Sequence, residues 1–146
     1  MNSATALETA GPALVAQAVR AFGRVHVRAL GGSMAPAIRP RDILVVAGCN
    51  VSDLEPADVV MFSREGRLFA HRLVELRVGP AGRLLVTRGD ALWSSDAPVA
   101  AADLLGRIVA VGRRGVFRAP ARCTALARTR GLVASECTAI RLRIRR

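Results

Sequence analysis

What most constrains this chain is its rhythm. From Arg24 onward it is written as short runs of Val, Leu and Ile, broken repeatedly by Gly, Pro, Asn and Asp. RVHVRAL (24–30) alternates polar with apolar, as a half-buried strand does. A glycine-rich turn, GGSMAP (31–36), leads to the run DILVVAG (42–48). After the connection from Asn50 to Pro56, a hairpin is expected: Val59 to Phe62, a turn at Arg64-Glu65-Gly66, and a return from Leu68 to Val78. The turn Gly79 to Gly82 leads to RLLVTRG (83–89), a loop spans Asp90 to Pro98, and Arg107–Val111 reads as a further strand. The expected fold is therefore mainly β, a small coiled-sheet or barrel-like domain.

One segment breaks this rhythm at the front. PALVAQAVRAFG (12–23) places Leu14, Val15, Ala18, Val19 and Phe22 on one helical face, with Pro12 suited to the first turn and Gly23 to the end. This predicts a short amphipathic helix packed on the domain. The chain divides into an N-terminal segment (1–27), a β domain (28–112) and an Arg-rich C-terminal tail (113–146), in which 132–145 fits a helix or a strand equally. At 146 residues there is room for one domain with a core. With aromatics at 3%, that core must come from Val, Leu, Ile and Ala, which suits sheet packing.

Charge narrows the chemistry. All 22 basic residues are Arg, so no step can use a lysine base, and Arg does not lose its proton in proteins. Residues 107–146 hold 11 Arg against one acid, Glu136. Such a tail fits an anionic membrane surface, or equally a solubilising flank. Phe117 is the only aromatic among these arginines, so nucleic acid is not an expected partner. The longest uncharged stretch, 9–19, is 11 residues, well short of the roughly 20 a spanning helix needs. No transmembrane segment and no secretory leader are expected, and the location implied is cytoplasmic or peripheral at a membrane. Cys49, Cys123 and Cys137 lack zinc-type spacing, and with two histidines far apart neither a metal nor another cofactor is expected.

Three strings carry candidate chemistry. GGSMAPAIRPRDILVV sets Ser33 in a glycine-rich turn before Met34 and Pro36. ADVVMFSREGRLFAHRLVEL sets His71 on the return arm of the hairpin, and LLVTRGDALWSSDAPV follows a Gly-Asp turn with Ser95 and Asp96. A serine hydroxyl attacks a carbonyl only when a neighbouring base takes its proton and donors meet the oxyanion. Gly31 and Gly32 leave backbone amides free to approach a reacting group. Taken alone, His71 also fits a half-buried strand histidine bonded to a carbonyl, and His26 sits on an alternating strand with no sign of a catalytic role. Trp93 reads as an apolar plug for its loop.

Together, in this order and spacing, the three strings resemble the boxes of signal peptidase I, over roughly residues 28–112. In that family G-x-S-M-x-P holds the nucleophile, G-D-x-V opens the hairpin, and G-D-N with a downstream Asp closes the site. With AHRLVEL and no lysine, the chain is similar to the Ser–His subtype of the endoplasmic reticulum and archaea. LexA-like self-cleaving regulators share the fold but need a lysine base. The resemblance implies a serine endopeptidase acting on a peptide or protein substrate. Ser33 would be the nucleophile and its N–H an oxyanion donor, His71 the general base, and Asp96 its orienting partner. Met34 would line a substrate groove beside Gly31, Gly32 and Pro36. Asp90 is a rival for the orienting role, with Arg72 and Ser95 as secondary candidates. The chain departs from the pattern at Gly31, where many relatives carry a hydroxyl, at Arg41 and Ala57, where they carry glycine, and at Ala91-Leu92, where Asn-Asn is usual. A catalytically silent binding module of the same fold is the alternative these departures leave open.

Overall fold

The computed structural model describes residues 11–122. Among these residues one α-helix, α1 (Pro12–Phe22), precedes eight strands: β1 (Arg24–Arg28), β2 (Ile43–Ala47), β3 (Val59–Arg64), β4 (Arg67–Gly79), β5 (Gly82–Arg88), β6 (Val99–Ala100), β7 (Leu104–Arg113) and β8 (Val116–Arg118). All pair antiparallel in one sheet ordered β1-β2-β7-β3-β4-β5-β6, with β8 added to β7. The domain is mainly β, as the alternating runs imply.

The hairpins follow from their turns. Arg64 pairs with Arg67 and leaves a two-residue loop, Glu65-Gly66, with φ of 50° and 71°. Two consecutive left-handed residues make the type I′ turn, whose twist matches that of the strands it joins. Arg114-Gly115 repeats the device at φ of 51° and 78°, and it produces β8. Phe117 of β8 then lies over Gly112, where a Cβ would sit 2.5 Å from the ring. The sheet therefore runs past both boundaries read from the sequence: β1 begins at Arg24, and residues 116–118, assigned to the tail, form a strand. The rest of the tail, 123–146, with Cys123 and Cys137, lies outside the described residues.

Twisting folds the sheet around two cores. β3 is buried on both faces, and its alternate residues serve different cores: Val59 and Met61 the first, Val60 and Phe62 the second. The first core also takes Val25, Val27, Leu44, Val46 and Ile108, and α1 closes it with Val15 and Val19. Burying one such side chain is worth about 1.5–3 kcal/mol. The helix docks as expected through that pair, but Leu14 (45% exposed) and Phe22 (80% exposed) face away from it. The second core is smaller, with Leu54, Leu73, Leu85 and Val99 around Phe62. No helix among the described residues is long and apolar enough to cross a membrane.

Two turns explain the departures at Arg41 and Ala57. Both residues adopt left-handed backbone, at φ of 75° and 81°. In each turn the following Asp accepts a hydrogen bond from the backbone N–H three residues back: Asp42 from Arg39 at 2.8 Å, and Asp58 from Glu55 at 2.9 Å. A Gly-Asp pair suits this turn because glycine enters the left-handed region freely and the carboxylate closes the loop. Arg41 and Ala57 keep the geometry at a backbone cost of about 1 kcal/mol each.

Candidate active site

The segment carrying Ser33 leaves β1 and returns to β2 as a closed lobe. The Ala29 N–H donates to the Asp42 carbonyl at 2.8 Å, and the Arg41 N–H donates to the Ala29 carbonyl at 2.7 Å. Inside the lobe, Ala35 bonds back to Gly32 and Ile38 to Met34, a tight coil that turns Met34 and Ile38 into the first core. Ser33 is left half-buried at the lobe's inner rim. Arg113 braces the exit of the lobe with a two-nitrogen contact to Asp42. That hydrogen bond holds the Asp42 carboxyl below its ordinary value, against an opposing effect of burial.

His71 comes from the second core. Phe69, His71 and Leu73 share one face of β4, and His71 sits opposite Val60 of β3. The ring is 4% exposed and meets Phe62 and Phe69 edge-on, each 6.0 Å away between centroids. Its Nε2 lies 3.0 Å from Ser33 Oγ, and its Nδ1 lies 2.6 Å from Asp96 Oδ2. An ionised carboxylate only accepts, so Nδ1 carries the proton and Nε2 offers its lone pair to the Ser33 hydroxyl. The bonded-to-carbonyl alternative for His71 is thus not what the structure holds.

Asp96 belongs to the loop between β5 and β6. The Asp96 N–H donates to the Thr87 carbonyl at 2.8 Å, and the Thr87 hydroxyl donates to Asp96 Oδ2 at 2.6 Å. Arg64, at the end of β3, donates to the Ala97 and Pro98 carbonyls and ties down the far side of the loop. The near side is tied to Ser33. The Ala91 N–H donates to the Ser33 carbonyl at 2.8 Å, and the Asp90 N–H points at Met34 Sδ, 3.4 Å away. Gly89 permits this approach, since a Cβ there would stand 2.6 Å from the Ser33 carbonyl oxygen.

The structure therefore brings Ser33, His71 and Asp96 together and keeps Asp90 out. Asp90 forms a two-point ion pair with Arg72, at 2.8 and 2.7 Å, and Arg72 also donates to the Ala57 carbonyl at 2.8 Å. Alternation along β4 sends Arg72 to the face opposite His71, which carries Asp90 away from the histidine. Met34 does not line a groove: it is 3% exposed, because the coil after Ser33 turns it inward to the first core. Gly31 and Gly32 are exposed, with open space where a Cβ would be, and Pro36 is exposed beside them. Ser95 is exposed next to Asp96. Trp93 is 95% exposed and plugs nothing, and His26 lies on the exposed side of β1 against Phe117.

Sequence reading passed over Thr87, which is fully buried and bonded to Asp96. Its signal is a hydroxyl at a core-facing position, since Leu85 two residues earlier belongs to the second core. Gly89 was read only as a turn residue; its use is the close approach of two backbones. The chain matches no family model, no curated protein and no solved structure.

Proposed function

We propose that this protein is a serine endopeptidase of signal peptidase I type, which cleaves a peptide or protein substrate through an acyl-enzyme on Ser33. The observation that carries the reading is the continuous chain Ser33 Oγ, His71 Nε2, His71 Nδ1, Asp96 Oδ2, at 3.0 and 2.6 Å. Nucleophile, base and orienting carboxylate stand in bonding order, each half-buried or buried. A base must lie within hydrogen-bond reach of the proton it abstracts, and this one does.

In this reading, His71 Nε2 takes the Ser33 proton as Oγ bonds to the scissile carbonyl carbon. The Ser33 N–H donates to the resulting oxyanion. The imidazolium, stabilised by Asp96, then protonates the leaving amine as the C–N bond breaks. Water, deprotonated by His71, releases the acyl group and restores Ser33. Gly31 supplies no hydroxyl to the oxyanion, so the backbone carries that task here; losing one such donor costs on the order of 10²–10³ in rate in related chemistry.

The test is labelling of purified protein with a fluorophosphonate probe, read by mass spectrometry on wild type, Ser33→Ala and His71→Ala. Labelling at Ser33 is expected in wild type, with loss in both variants. A folded wild type that never labels would favour the second reading, a silent binding module, for which Gly31 is the specific motive.

A further inference from the structure

We propose that Thr87 is a positioning residue that, acting through Asp96, holds His71 in the one neutral tautomer able to take the Ser33 proton; this rests on the serine-peptidase reading. The ties from Arg64 to the Ala97 and Pro98 carbonyls and from the Ala91 N–H to Ser33 hold the backbone of the loop that carries Asp96, and none of them sets the direction of its carboxylate. Thr87 is different in kind. It lies on β5, opposite Leu73 of β4, fully buried, and its β-branched side chain is stiff about χ1.

The two residues meet at two points. The Asp96 backbone N–H donates to the Thr87 carbonyl, which places the Asp96 Cα against the strand. The Thr87 hydroxyl, with a single proton, faces a carboxylate at 2.6 Å and must donate to it. The oxygen it bonds is Oδ2, the same atom that accepts from His71 Nδ1. One oxygen is thus held from two sides, by a rigid strand residue and by the base. With Oδ2 fixed, the neutral imidazole is stabilised with its proton on Nδ1 and its lone pair on Nε2. Without the hydroxyl, the carboxylate can rotate about its two side-chain torsions, and the competing tautomer, protonated on Nε2, becomes accessible. That form cannot accept a proton from Ser33.

The experiment is ¹⁵N NMR of the histidine ring nitrogens in the full chain, for wild type, Thr87→Val and Thr87→Ser, paired with the rate of fluorophosphonate labelling. Valine keeps the shape and removes the hydroxyl; serine keeps the hydroxyl. Wild type is expected to show His71 protonated on Nδ1. Thr87→Val is expected to show averaging between tautomers and labelling slowed on the order of 10- to 100-fold, below the effect of losing the carboxylate itself. Thr87→Ser is expected to restore both readouts. Unchanged ring shifts in Thr87→Val overturn the inference, and so does a wild-type His71 protonated on Nε2, a result that needs no variant to fold. A wild type with the expected tautomer that never labels overturns the peptidase reading and leaves the tautomer assignment standing.

Discussion

The two halves of the candidate site are built in different ways. His71, Thr87 and Asp96 belong to neighbouring strands β4 and β5 and the loop that follows, so sheet register places them. Ser33 arrives on a lobe between β1 and β2, strands on the far side of β7 and β3 in the sheet order. It is held by a few stitches: the Ala29–Asp42 pair, the Ala91 N–H on its carbonyl, and Met34 in the first core. The His71 half is a product of local pairing, whereas the Ser33 half depends on contacts between distant segments. The seam between them is where the site is most vulnerable.

Breaking the brace on the His71 half is expected to have the largest effect. Arg72→Met keeps the apolar stem and leaves Asp90 (side chain 14% exposed) without its guanidinium. Removing one partner of a buried pair costs about 3–5 kcal/mol, so the urea midpoint should fall sharply. An unchanged midpoint would mean that Asp90 finds water or another donor.

Next comes the seam. Gly89→Ala places a Cβ 2.6 Å from the Ser33 carbonyl oxygen and 3.0 Å from the Leu92 side chain; the leucine can turn aside, but the Ser33 backbone has to shift. If Ser33 is the proposed nucleophile, a shift of about 1 Å is enough to slow its labelling on the order of 100-fold while the sheet stays folded. Labelling at the wild-type rate would show that the lobe absorbs the methyl without moving Ser33.

The smallest effect is on the brace of the Ser33 half, where Arg113 is partly solvated (side chain 39% exposed). Asp42→Asn should cost about 1–2 kcal/mol at neutral pH, through weaker hydrogen bonds to Arg113. The sign with pH follows from the bound carboxyl, which Arg113 holds below its ordinary 3.8. In the unfolded chain it protonates at the ordinary value. The stabilisation is therefore complete above 3.8 and disappears as the pH falls through the depressed native value. Urea midpoints of wild type and Asp42→Asn should converge in strong acid; a gap of constant size would place the effect outside this ion pair.

How much of this was legible beforehand differs between the same two halves. The hairpin of β3 and β4 is written into two apolar runs on either side of the Glu65-Gly66 turn, and His71 could be put on its return arm from sequence. Asp96 and Asp90, six residues apart on one loop, could not be separated with certainty by sequence. Their roles divide because β4 shows His71 to one face and Arg72 to the other, and each draws the acid on its own side. β8 was missed because three residues carry too little pattern, and the Arg114-Gly115 turn lies in a run of arginines that reads as tail.

The amino-acid sequence by itself determined the mainly β class, the short N-terminal helix and the absence of lysine chemistry, because these depend on local periodicity and residue type. It also named Ser33 and His71 as a pair worth testing. Only the tertiary structure decided that Met34 is core and not groove, that Gly89 serves a close backbone approach, and that Thr87 reaches the carboxylate beside His71. Those facts rest on which distant segments share a face and how closely they pack. Strand register and sheet twist set that, and no local stretch of the chain encodes it alone.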